Sequence, residues 1–208
     1  MTILVCPLSH VALLIEARAP ELVVSLLDPE GIFPELGSVF QDRHLRLRFH
    51  DVHSAGDGQI APTMGHIDEL LAFVGRWQRT GPILFHCRAG IGRSPAAAFI
   101  AACFFNPEVA ELEVARALRS ASPTARPNES LIGLADGLMG RGGRMITAIA
   151  ETGRGLPWPA ADEGPAFEMP LLIRPNKALE PTPTSVTPPA CAGVAPAAVV
   201  ARVRRINR

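Results

Sequence analysis

Residues 83–105, ILFHCRAGIGRSPAAAFIAACFF, leave the chain few ways to fold. An apolar run too short for a helix ends in His86-Cys87, and Gly90 and Gly92 follow at once. Such a run, bounded by turn residues, reads as a buried strand. Pro95 is tolerated only in the first turn of a helix. The alanine-rich run after it is apolar on every side, the mark of a helix with no solvent face. A glycine loop joining a buried strand to a buried helix is the repeating unit of parallel α/β sheets.

The rest of the chain fits that frame. Residues 3–6 and 22–27 read as short buried strands, and 10–18 between them has helical apolar spacing. Asp28-Pro29-Glu30-Gly31 is a turn signal. Residues 45–49, LRLRF, alternate and read as a strand with one buried face. Residues 64–77 carry a helical stripe, and 108–120, 128–139 and 144–151 read as further helices. The expectation is an α/β fold, with a short, mostly parallel central sheet flanked by helices and a helical C-terminal half. Residues 1–152 are expected to form the domain and 153–175 an extension. Half of the 20 prolines fall after Arg154, so 176–208 is expected to be a disordered low-complexity tail.

Composition narrows the partners. Formal net charge is +0, which argues against nucleic-acid binding through a diffuse basic field. Cys6, Cys87, Cys103 and Cys191 are scattered, without the spacing of a zinc site or the density of a disulfide scaffold. The opening residues lack the basic start of a signal peptide, and no apolar run approaches the ~18 residues of a membrane span. The expectation is a cytoplasmic protein with reduced thiols, no membrane insertion, no metal and no cofactor. Its oligomeric state stays open.

The glycine loop is where chemistry enters. Gly90 and Gly92 permit turns that a Cβ would obstruct, and such loops aim successive N–H groups at an anion. The helix that follows adds the positive end of its dipole. Arg93 can give two parallel hydrogen bonds to a phosphate. The same field favours a thiolate at Cys87. Nucleophile and anion cradle thus share one loop, which suits attack of sulfur on phosphorus through a cysteinyl-phosphate.

The stretch HCRAGIGRS resembles the His-Cys-x5-Arg-Ser/Thr signature of the cysteine-dependent protein tyrosine and dual-specificity phosphatases. Ser122–Asn128, with its Arg-Pro-Asn end, is similar to a segment that opens a later helix in the dual-specificity members. The likeness spans about residues 2–151 and looks closest to small bacterial members. It implies a phosphotyrosine protein phosphatase-like fold and a metal-independent phosphomonoester hydrolase acting on phosphorylated protein. It also implies roles. Cys87 is the nucleophile, Arg93 grips the phosphate, Ser94 assists the leaving thiolate, and His86 orients the loop. The backbone of Arg88, Ala89, Gly90, Ile91, Gly92 and Arg93 forms the cradle. Asn128 braces it, caps its own helix, or does both.

A departing alkoxide or phenolate needs a proton, and two aspartates compete to supply it. Asp51 directly follows the strand 45–49, at the sheet edge where α/β proteins place their sites. Asp57 sits in a glycine-flanked loop, as a closing lid would require. Asp51 is favoured, with Asp57 kept as a substrate-loop residue. His50 and His53 flank Asp51 and are read as loop histidines. Phe33 and Phe40 are candidates for an aromatic wall. Arg88 resembles the extra basic residue of phosphoinositide phosphatases, which keeps a phosphoinositide substrate open, and Arg141 and Arg144 could add to a basic mouth. A phosphate-binding module without turnover is the other alternative.

Overall fold

The computed structural model describes residues 1–54, 56, 58–157, 159 and 162–171. Asp57 and the proline-rich stretch 176–208 lie outside the described residues.

Strand β1 (Thr2–Pro7) leads through a short 3₁₀ turn into helix α1 (Val11–Arg18) and then β2 (Leu22–Leu27). Strand β3 (His44–Arg48), helix α2 (Met64–Gly75) and strand β4 (Ile83–Cys87) follow. Helices α3 (Arg93–Phe105), α4 (Glu111–Ala121), α5 (Glu129–Leu138) and α6 (Arg144–Glu151) make up the helical half. Strand β5 (Phe167–Pro170) falls in the stretch read as an extension and closes the sheet. The strand order is β3-β2-β4-β1-β5, with the first four parallel and β5 antiparallel to β1.

Alternation sorts the strand side chains between two faces. Ile3, Val5, Val24, Leu26, Ile83, Phe85 and Cys87 join the larger core under α2 to α6. Leu4, Cys6, Val23 and Leu84 join a smaller core with Val11 and Phe40 on the other face. β1, β2 and β4 are therefore covered on both sides, which explains their unbroken apolar runs. β3 lies at the edge, and there Leu47 is buried while Arg46 and Arg48 are exposed. Phe40 belongs to the smaller core rather than to a site wall. Phe33 lies under the Arg48 guanidinium at 4.3 Å.

The approach to β4 is fixed by Glu21. Burial opposes its charge, but the Thr80 side chain and the N–H groups of Gly81, Gln78 and Thr80 hold its carboxyl below the usual range. At the far end of α3, Glu111 is 5% exposed and pairs with Arg141 and Arg144 at 3.2 and 3.1 Å. Arg141 also donates to Cys103 O and Pro107 O, so these arginines tie helices together. No helix among the described residues is long and apolar enough to cross a membrane.

Candidate active site

Parallel strands bring their C-terminal ends to one edge, and the candidate residues gather there. Cys87 is the last residue of β4, which lies between β1 and β2. Asp28 follows β2 directly, and Phe49 to Asp51 leave the end of β3. Cys87 is buried at 1% exposure.

The loop from Arg88 to Arg93 is held by its outward carbonyls. Leu8 N–H donates to Arg88 O (3.2 Å), Gly164 N–H to Ala89 O (2.7 Å), Arg126 N–H to Ile91 O (2.9 Å) and Asn128 N–H to Gly92 O (3.2 Å). In a trans peptide the C=O and the following N–H point in opposite directions. Each outward carbonyl therefore turns the next N–H, at Ala89, Gly90, Gly92 or Arg93, to the other side. Gly90 shows the result, because its N–H donates to Cys87 Sγ at 3.2 Å. Gly90 has φ +74°, and a Cβ there would stand 2.7 Å from Pro7 N. No side chain fits this position.

Helix α3 begins at Arg93 and directs its N-terminal end at the same sulfur. Ser94, fully buried, donates from Oγ to Cys87 Sγ at 3.2 Å. Arg93 is 3% exposed, and its Nη1 donates to Asp28 Oδ1 (3.0 Å) and Phe49 O (2.7 Å). Its Nε is buried and has no hydrogen-bond partner among the described residues.

Asp51 closes over this group. Its Oδ2 lies 3.9 Å from Arg93 Nε, and a Cβ on Gly92 would collide with its carboxylate. Glycine at 92 is thus what lets the carboxylate reach the loop. Asn128 Nδ2 donates to Asp51 Oδ1 at 2.7 Å, while its Oδ1 accepts from Leu131 N–H at 2.9 Å. The residue caps α5, braces the loop through its backbone and holds Asp51 through its side chain.

His86 lies behind the loop, fully buried. Its Nε2 shares the Ser25 hydroxyl (2.5 Å) with His44 Nε2 (2.6 Å), joining β4, β2 and β3. Burial, helped by His44 and opposed by a backbone bond at Cys87, lowers the His86 pKa to about 4. Burial with the Arg46 charge does the same for His44, also to about 4. The imidazoles are neutral at neutral pH and act as buried links. Cys6 belongs to the opposite face of the sheet from Cys87, and burial raises its pKa to about 12, with Cys87 and Glu163 adding to the rise. Cys103 is buried on α3, and burial likewise raises its thiol.

The structure therefore brings together Cys87, Ala89, Gly90, Ile91, Gly92, Arg93, Ser94, Asp51 and Asn128, with His86 beneath. Arg88 is exposed and only its carbonyl is tied in. Arg141 and Arg144 are taken up by Glu111. His50 turns to Ile60 N–H (2.9 Å) and Glu30 (3.5 Å). A cleft of about 620 Å³ opens beside Asp51, lined by His53, Arg126, Glu129 and Arg154 among others. Asp28, Ser25 and Gly164 were missed by sequence reasoning. For Asp28 a signal existed, since it follows a buried strand at the productive edge of the sheet.

No family model matches the chain, and no curated protein matches it. Solved structures do. The human tyrosine phosphatase-like serine/threonine/tyrosine-interacting protein matches with a TM-score of 0.50 and 18% identity, over 65% of this chain and 89% of that one. DUSP15 matches at 0.48 and 19% identity over 71% and 89%. The Yvh1 phosphatase domain from Chaetomium thermophilum matches at 0.46 and 21% over 66% and 89%. With its parallel sheet, its glycine loop and this likeness to a tyrosine phosphatase-like protein, the chain has the fold of the cysteine-dependent tyrosine and dual-specificity phosphatases.

Proposed function

We propose that this chain is a phosphomonoester hydrolase of the tyrosine or dual-specificity type, with Cys87 as its nucleophile. One observation carries the reading. Cys87 Sγ already accepts from Gly90 N–H and Ser94 Oγ, while Arg93 Nε, buried at the end of the same loop, has no hydrogen-bond partner among the described residues. A buried donor left over on a loop that already points two donors at a sulfur asks for an anion. A phosphate ester supplies the missing acceptors through its non-bridging oxygens.

The geometry supports one course of reaction. The Cys87 thiolate attacks phosphorus in line, the P–O bond breaks, and the departing oxygen takes its proton from Asp51. Arg93 and the loop N–H groups hold the equatorial oxygens as charge spreads over them. Water then attacks the cysteinyl-phosphate and gives its proton back to Asp51. The S–P bond breaks, Ser94 Oγ supports the thiolate, and inorganic phosphate leaves.

The test is Cys87→Ser, assayed on an aryl phosphate. Hydrolysis should vanish while vanadate or phosphate binding survives. Full activity in the serine variant would refute the reading.

A second reading concerns the substrate. Arg126 and Arg154 line the cleft beside Asp51, and neither has an ion-pair partner among the described residues. A phosphoinositide, with a further acidic group, would suit such a mouth, although Glu129 in the same cleft opposes it. A panel of phosphotyrosine and phosphoserine peptides and phosphoinositides decides between them, preference for the lipid favouring the second.

A further inference from the structure

We infer that Gly164 is a positioning residue for the anion cradle: its N–H fixes the Ala89–Gly90 peptide so that the Gly90 N–H faces the Cys87 sulfur. This deepens the proposed phosphatase reading and rests on it. Ala89 O and Gly90 N belong to one planar unit, so holding the carbonyl aims the amide. The Gly164 bond, at 2.7 Å, is the shortest of those on the outward carbonyls of the loop. At the other end of the same peptide, Gly90 N lies 3.2 Å from Cys87 Sγ. A carbonyl that accepts a hydrogen bond also makes its own amide N–H a better donor.

The segment that delivers Gly164 is well anchored. Residues 162–171 run from the outside of the loop into β5, which pairs with β1. Leu171 N–H donates to Met1 O (3.1 Å), Asn106 Nδ2 donates to Leu171 O (2.6 Å), and Ser9 Oγ bonds to Glu163. Met169 and Leu171 are buried. Glycine gives the closest approach at the contact itself, because a Cβ on residue 164 would stand 2.9 Å from Ile91 Cγ1 and would have to displace that side chain. The strap thus touches the cradle at a crowded point, and at that point it gives an N–H.

The full-length protein is compared with three variants. Gly164→Pro removes the donor. Gly164→Val keeps it but levers the strap off Ile91. Glu168→Ala breaks the pair with Arg18 and loosens β5 away from the loop. Vanadate affinity, iodoacetamide alkylation of Cys87 at neutral pH with and without vanadate, and Tm are measured for each. Both glycine variants should bind vanadate about tenfold more weakly, the weight of one hydrogen bond to a charged group, and should alkylate more slowly. Glu168→Ala should lower Tm and leave both readouts at the parent values. If Gly164→Pro does not fold, Gly164→Val decides. Parent-like vanadate affinity and alkylation in the folded glycine variants would overturn the inference while the phosphatase reading stood. A parent thiol that vanadate does not protect would sink both.

Discussion

Two buried arginine clusters sit at opposite ends of helix α3, and they differ in what they leave over. At the C-terminal end, the Glu111 carboxylate is matched by Arg141 and Arg144, and Arg141 spends its remaining donors on Cys103 O and Pro107 O. At the N-terminal end, Arg93 gives Nη1 to Asp28 and Phe49 O and keeps a buried Nε without a hydrogen bond, 3.9 Å from the Asp51 carboxylate. A satisfied network rigidifies a junction, and an unsatisfied one marks a place where a ligand completes the hydrogen bonding. The same type of side chain thus ties helices together at one end and keeps a spare buried donor at the other.

That contrast can be broken most forcefully at Arg93. Arg93→Lys keeps the charge and loses the planar fork, so kcat/KM on an aryl phosphate should fall by about 10²–10³. Retained activity would mean that the unmatched Nε is incidental. Next comes the acid. Asp51→Asn should cost about 10²-fold on alkyl phosphates and far less on nitrophenyl phosphate, whose leaving group needs no proton. Equal losses on both substrates would remove Asp51 from the proton-donating role and turn attention to Asp57.

The other cluster should answer in stability rather than rate. Glu111→Ala leaves Arg141 without its carboxylate and should cost about 2 kcal/mol, below the usual figure for a broken buried pair because Arg144 is largely exposed. Denaturant titration reads this, and turnover measured well below Tm should be unchanged. Acid should act on stability as well. His86 and His44 are depressed to about 4 in the folded protein, from 6.5. The unfolded chain takes up those protons first, so stability should decline as pH falls from about 6.5 towards 4. His86→Asn should flatten that decline in a Tm series, and an unchanged slope would show that His86 is not held neutral.

The legible parts of this molecule are those whose physics is local. HCRAGIGRS announced strand, loop and helix together, because the glycines and the proline punctuate within a few residues. Alternation in LRLRF announced the edge strand. What escaped depends on pairing across long stretches of chain. Asp28 looked like a turn residue; its place after a buried strand hinted at the productive edge of the sheet, but not that Arg93 would arrive 65 positions later. The strap at 162–171 carries no periodic signal, and β5 exists because β1 offers a free edge to pair with. Phe40 looked available for a wall, but its ring belongs to the smaller core. Of the four N–H clamps on the loop, those from Leu8 and Gly164 come from segments whose sequence says nothing of their target.

From Ala96 to Ala102 every side chain of α3 is fully buried, and all but Phe99 and Ile100 are single methyl groups. The helix is in effect a slim rod driven through the packed interior, its tip resting under the sulfur. Such a rod has no slack. Two added carbons along its shaft, as in Ala98→Val, must shift either the surroundings or the rod. The geometry of the cysteine loop is therefore exposed to mutations a full turn or more from Cys87.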